Sequence, residues 1–218
     1  IVGGEDHKVG QDTSPDMHWK KLEVWARQRL HGLGEVTHRW SGQVFEPVDG
    51  LPFAGRNPMD SDHSYVITGD SGEGMTNATI GAGVVADLIQ GKENPYAELF
   101  SPGRITLSTS AEFLKENLNA FAQYADYLVP SEIDTVASLA RGQGAVIRIE
   151  GKPVAVHRDL AGRLKACTAI CPHLGAVVHW NAAERSWDCP AHGSRFDCDG
   201  KVLNGPANTS LEMRSLVE

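Results

Sequence analysis

Two short segments, Cys171-Pro172-His173-Leu174-Gly175 and Cys189-Pro190-Ala191-His192-Gly193-Ser194, each set one cysteine close to one histidine. The pattern reads C-x-H, then 15 residues, then C-x-x-H. Two thiolates and two imidazoles carried on separate loops can grip a metal centre from opposite sides. Two kinds of centre suit that donor set. A two-iron, two-sulfide cluster takes both thiolates on one iron and both imidazoles on the other. A structural zinc ion takes two of each in a tetrahedron. Zinc fingers usually pair C-x-x-C with H-x-x-x-H, whereas each loop here is mixed, which fits the cluster better.

Composition narrows the setting. Cys167, Cys171, Cys189 and Cys198 all fall in the last third of the 218 residues, and two are claimed by the metal pattern, so a disulfide framework has little support. A reducing, cytoplasmic location is expected. No apolar run approaches the roughly 18 residues of a membrane span. The first 130 residues hold 18 acidic and 10 basic side chains, which accounts for the whole net charge of −8. No basic patch with interleaved aromatics occurs, so neither membrane nor nucleic acid is an expected partner. The chain opens on Ile1 rather than Met, and an upstream segment is expected to have been removed.

The segments CPHLGA and CPAHGSRF resemble the two cluster-binding loops of the Rieske iron-sulfur family. The resemblance implies that Cys171, His173, Cys189 and His192 ligate a [2Fe-2S] cluster, with the cysteines on the inner iron and the histidines on the outer, more exposed one. It also implies that Gly175 and Gly193 let backbone amides approach the sulfides. Ser194 keeps a hydroxyl where high-potential members use one, Phe196 stands where they carry a tyrosine, and Ala176 and Ala191 stand where respiratory members carry a disulfide. The implied potential is toward the lower end of the roughly −150 to +300 mV range. Runs such as AVIRI, PVAVHR, KACTAI, VVHW and SWDC, separated by EGKP, DLAG and DCDG, predict an antiparallel β-sandwich, in agreement with that family's fold. His157, His179, Cys167 and Cys198 lie outside the loops and are expected to be structural.

The first part reads as α+β. Ser14 is the expected N-cap of a helix from about Pro15 to His31, with Trp19, Leu22, Ala26 and Leu30 at helical spacing and Trp19 and Trp25 as packing residues. A short strand into GGEDHKVG, strand-like stretches from Glu35 to Phe45 and a strand at Ser64 to Thr68 are also expected. The last runs into GDSGEGMTNATIGAGVVADLIQG, a glycine-rich turn opening a helix whose free amides suit a polar or anionic ligand. With GGEDHKVG and DGLPFAGR, this segment resembles the C-terminal flavin-binding part of the FAD-dependent amino acid oxidase (DAO) superfamily over roughly residues 1–100. The resemblance implies that Gly69, Gly72, Gly74, Met75 and Thr76 lie against the flavin, with Glu5, His7 and Arg56 in segments near flavin or substrate.

That family's G-x-G-x-x-G turn near the N-terminus is missing. Gly81-Ala82-Gly83-Val84-Val85-Ala86 carries the letters but falls inside the predicted helix, so it is a decoy. The ADP moiety is expected to sit on an N-terminal FAD-binding part of the same polypeptide. Ile1-Val2-Gly3-Gly4 and Gly69-Asp70-Ser71-Gly72 imitate a trypsin-like protease, but Ser71 comes too early and no histidine has the setting of the base.

Residues 104–130 read as a connector, with Thr109 and Glu112 as a capping box before a helix whose face is Leu114, Leu118, Phe121, Ala125 and Leu128. That stripe is expected to pack on a domain, and Pro130 ends the segment. The expected organisation is a DAO-type flavin and substrate portion over 1–103, the helical connector over 104–130 and an all-β Rieske domain over 131–218. The expected function is an FAD-dependent oxidoreductase acting on a small amine or amino-acid-like substrate. Its Rieske centre moves electrons between the flavin and an external redox partner protein, a reductase or an acceptor. No side chain declares itself as catalytic acid or base. The alternative is a non-catalytic Rieske ferredoxin-like electron carrier.

Overall fold

A computed structural model describes every residue except Thr13, 105–109 and 217–218, so Thr109 of the expected capping box lies outside the described residues. In chain order the elements are α1 (Asp16–Arg29), β1 (Phe53–Arg56), β2 (Tyr65–Thr68), α2 (Gly74–Ile89) and α3 (Ser110–Ala122), then β3 (Gly144–Ile149), β4 (Lys152–Arg158), β5 (Leu164–Thr168), β6 (His179–Asn181), β7 (Ser186–Asp188), β8 (Arg195–Asp197) and β9 (Val202–Asn204). The chain divides into two compact units, one of Ile1–Trp40 with Leu118–Glu218 and the other of Ser41–Asn117.

In the Ser41–Asn117 unit, β1 and β2 form an antiparallel pair running from Phe53↔Thr68 to Arg56↔Tyr65. Helix α2 buries Val84 against Ala54 and Phe100. A Cβ at Gly81 would lie 2.9 Å from Ile67 Cγ2 and 3.2 Å from Ala54 Cβ, so glycine is what lets the helix approach the strands. The Gly81-Ala82-Gly83 letters therefore lie inside a helix, as the sequence predicts, with Gly81 on its packing face. Arg104 ties the unit together: it meets both oxygens of Asp49 at 2.6 and 2.8 Å, donates to the carbonyls of Leu51 and Pro52, and lies 4.0 Å over the Phe53 ring.

In the other unit, β3-β4-β5 and β6-β7-β8-β9 are two antiparallel sheets, the arrangement expected of residues 131–218. The three-stranded sheet is buried on both faces. Ala145, Val154, Val156 and Ala166 join one apolar cluster, while their alternate neighbours Val146, Ala155 and Cys167 join another that holds Trp187 and Phe196. This is the two-residue period of a pleated strand. Trp187 pairs with Trp180 on one side and Phe196 on the other, and both Trp187 and Phe196 are fully buried.

Several expectations fail locally. Helix α1 starts at Asp16, with Pro15 already helical in the capping position and no side-chain cap. Ser14 contributes only its carbonyl, to the Met17 N–H, while its own N–H donates to Asp12. Leu30 is extended, so the helix ends at Arg29. Of the expected face only Ala26 is fully buried, and Trp25 is 47% exposed with the Arg29 guanidinium over its ring. No strand forms at the start of the chain or over residues 35–45, because among the described residues neither stretch has a ladder partner. Leu114, Leu118, Phe121 and Leu128 are each more than half exposed, so the connector stripe does not pack as expected. The α-helix tightens into a 3₁₀ turn over Gln123–Leu128, and residues three apart then fall on one side, which turns Tyr124 and Tyr127 the same way.

Substituting Gly81→Val should force α2 off the β1–β2 pair at a cost of about 1–3 kcal/mol. Native-state hydrogen exchange should show faster exchange of the amides of Ala54 and Ile67, with the Trp187 region unchanged.

Candidate metal centre

The two metal-pattern segments fold into the same turn twice. The cysteine N–H donates to the carbonyl five residues on, from Cys171 to Ala176 at 2.9 Å and from Cys189 to Ser194 at 2.8 Å. The glycine N–H four residues on donates back to the cysteine carbonyl, at 2.9 Å from Gly175 and 3.0 Å from Gly193. Both glycines have positive φ, 84° and 77°, which a side chain would strain. Each loop is framed at its base by a paired residue on either side, Ile170↔Val177 for the first and Asp188↔Arg195 for the second.

The turn aims backbone amides inward. The His173 N–H reaches the Cys171 sulfur, and the His192 and Ala191 N–H groups reach the Cys189 sulfur. Both cysteines are 1% exposed. The Cys189 thiol lies within hydrogen-bonding reach of the Cys171 sulfur. That bond from Cys189 brings Cys171 down to about 6 against the cost of burial, with help from the Ser194 hydroxyl, and the same bond and burial push Cys189 up. The Ser194 oxygen, itself fully buried, also accepts from the Ala207 N–H at 2.9 Å. The histidines lie on the outer side: His173 is exposed, His192 is half-buried with its pKa lowered by burial and by His173, and their rings meet edge-on with centroids 5.0 Å apart.

The second loop rests on a buried polar network. Arg195 Nε donates to Asp188 at 3.2 Å, and its Nη2 donates to Ser186 at 3.1 Å and to Glu184 at 2.5 Å. Ser186 and Asn181 donate to the two oxygens of Asp188. Three side chains from distant sequence brace the loops from outside. Tyr124 donates to the Leu174 carbonyl at 2.5 Å, Tyr127 to the Gly175 carbonyl at 2.6 Å, and Gln11 to the Pro190 carbonyl at 2.7 Å. Beside Gln11, a Cβ at Gly10 would lie 2.7 Å from the Pro190 nitrogen, so the N-terminal segment lies directly on the loop. None of these residues carries a sequence signal for the role, since each acts across long sequence separation.

The arrangement separates the two metals that the sequence left open. Zinc bonds of about 2.0–2.3 Å put tetrahedral ligands under about 4 Å apart. Among the described residues, the only group of three or more candidate ligand atoms within 4.8 Å of one another lies elsewhere. Here the donors stand as two pairs, buried sulfurs inside and imidazoles outside, which suits two metals rather than one.

Residues 130–215 match the family described as the Rieske [2Fe-2S] domain. The cytochrome b6-f complex iron-sulfur subunit 1 of a Nostoc species is 30% identical over 133 residues, 60% of this chain and 70% of that protein. The chain belongs to the Rieske [2Fe-2S] family. Ahead of its Rieske part, residues 1–88 match the FAD dependent oxidoreductase family, DAO. A Bacillus subtilis relative described as a Rieske 2Fe-2S iron-sulfur protein, YhfW, is 32% identical over 220 residues, or 99% of this chain; the chain spans 42% of that relative's length. A solved plasma membrane Rieske protein, PetC3 from Synechocystis PCC 6803, is 33% identical over 33% of this chain and 74% of its own, with a TM-score of 0.31.

In the DAO-matched part, Gly69, Gly72, Gly74, Met75 and Thr76 come together at the turn into α2. Gly69 and Gly72 have positive φ. A Cβ at Gly69 would meet Pro47 at 2.6 Å, and one at Gly74 would meet the Asp70 carboxylate at 2.5 Å. The helix opens without a side-chain cap, and Met75 is 92% exposed. Glu5 bonds to His18, His7 stacks on His18 with centroids 4.0 Å apart, and Arg56 pairs with Asp62.

Replacing Arg195 with Met should destabilise the Rieske part by about 3–5 kcal/mol, because the Asp188 charge stays buried without its counter-charge; pairing it with Asp188→Leu should recover part of the loss in a denaturant titration. Tyr127→Phe should cost about 0.5–1.5 kcal/mol and speed bleaching of the metal centre by a chelator.

Proposed function

We propose that this chain is the C-terminal part of an FAD-dependent oxidoreductase that exchanges electrons between a flavin and a redox partner protein through a Rieske [2Fe-2S] cluster. The observation that carries this reading is the doubled loop, with cysteines paired inside and histidines paired outside, in one chain with a DAO match. Cys171 and Cys189 would hold the inner iron, His173 and His192 the outer one. When bound, the cluster supplies one-electron transfer and the flavin supplies hydride chemistry on a small amine or amino-acid-like substrate.

The chain's own residues give this scheme its geometry. Exposed His173, flanked by exposed Pro172 and Leu174, offers the surface on which a reductase or acceptor would dock. The Ser194 hydroxyl, bonded to the Cys171 sulfur, favours the more negative reduced state, while buried Phe196 adds no second hydroxyl, which supports a potential low in the Rieske range. The uncapped start of α2, with Gly72, Gly74, Met75 and Thr76 around it, offers amides to the polar part of a flavin. The proposed modules are 1–103, 104–130 and 131–218, with the ADP-binding half supplied by an N-terminal part of the polypeptide. No described helix is long and apolar enough to cross a membrane. A cytoplasmic location is part of the same proposal.

The deciding experiment is an EPR spectrum of the reduced full-length protein together with chromatography of flavin released on denaturation. A Rieske signal with released FAD is the expected result; the same signal without flavin would make the protein a ferredoxin-like carrier, and no signal after iron and sulfide loading would remove both readings. Ser194→Ala should lower the cluster potential by roughly 65–130 mV, the worth of one charge-assisted hydrogen bond in a one-electron couple, read by protein-film voltammetry.

A further inference from the structure

Among the described residues, the group of ligand atoms that does converge within 4.8 Å is not in the cluster loops: it is His157, Cys198 and Asp199. From the sequence, His157 and Cys198 are expected to be structural. His157 lies on β4, is 1% exposed, and neither ring nitrogen has a hydrogen-bond partner. An imidazole buried without a partner is costly, and the great majority of buried polar atoms avoid that state. Trp180 stacks on the ring with centroids 5.1 Å apart and fixes its plane.

Cys198 and Asp199 form the tip of the β8–β9 hairpin. Its turn is tied by the Asp197 carboxylate, which accepts from the N–H groups of Asp199 and Lys201, and by the Gly200 N–H to the Asp197 carbonyl. The tip therefore presents a thiol and a carboxylate in a set position toward the unpartnered imidazole. Lys165 meets Asp199 Oδ1 at 2.5 Å, which leaves a carboxylate able to use its other oxygen.

We propose that His157, Cys198 and Asp199 form a second metal site, distinct from the cluster, for a borderline divalent transition ion of the zinc class. Nitrogen, sulfur and oxygen donors together exclude magnesium and calcium, which take oxygen ligands. Three protein ligands leave the fourth tetrahedral position to water. Binding replaces the Cys198 proton by the metal and releases that proton to solvent; no electron changes hands. The Lys165 ammonium stays beside Asp199 as an outer partner that orients the carboxylate.

The test titrates cobalt(II) into the cluster-loaded protein and follows thiolate-to-cobalt charge-transfer absorption, then displaces it with zinc. The expected result is one cobalt per chain beyond the cluster iron, with Cys198 protected from iodoacetamide once zinc is bound. Cys198→Ser should abolish the charge-transfer band. Asp199→Asn and His157→Gln should each weaken binding about tenfold or more. Cys198 and Asp199 lie on a half-exposed turn, so their variants carry the test even if His157→Gln misfolds by circular dichroism. No uptake beyond the cluster, uptake unchanged in both turn variants, or uptake matched by loss of cluster absorption would each overturn the site.

Discussion

The Rieske centre depends on one backbone turn made twice. A cysteine N–H bonded to the carbonyl five residues on, answered by a glycine N–H bonded to the cysteine carbonyl, closes each loop before any metal is considered. That closure turns amides toward sulfur and sets the neighbouring histidine outward. With the histidine third in one loop and fourth in the other, the two rings meet edge-on at the mouth. The sheets matter because they hold the feet of the loops: an isolated bridge under one, and a buried arginine–aspartate pair under the other. Such a pair is weak evidence for net stability, yet breaking it is costly, so it acts here mainly to hold loop register.

The outer braces give the N-terminal part a share in the centre. Gln11 and Gly10, within the DAO-matched residues, rest on Pro190, and the two tyrosines of the 3₁₀ turn hold Leu174 and Gly175. The connector is therefore part of the support of the cluster loops. Arg148 adds to this by bonding the Asp126 carbonyl, while the Asp126 carboxylate meets His179 at 2.8 Å.

Much of the site was legible because its chemistry is local. Cys, His, Pro and Gly at fixed offsets specify a turn and a donor set within six residues, and the short β-rich runs of the last third became two antiparallel sheets. The glycine-rich entry to α2 and the false G-x-G-x-x-G inside it were also readable, because helix period and turn chemistry act over a few residues. Prediction failed where burial needed a distant partner. Residues 35–45 have strand-like composition but no ladder to join among the described residues, Ser14 does not cap because Pro15 is already helical, and Leu114, Leu118 and Phe121 of the connector stripe stay exposed.

The sequence by itself determined the mixed cysteine and histidine loops and the short β-rich runs, because these rest on spacing along the chain and on side-chain chemistry. The tertiary structure decided which donors converge. It set cysteines inside and histidines outside, brought Gln11, Tyr124 and Tyr127 to the loop carbonyls, and aimed the tip of a hairpin at a buried histidine some forty residues away in sequence. Those contacts depend on sheet register and on the packing of Trp180, Trp187 and Phe196, which no short window of sequence encodes.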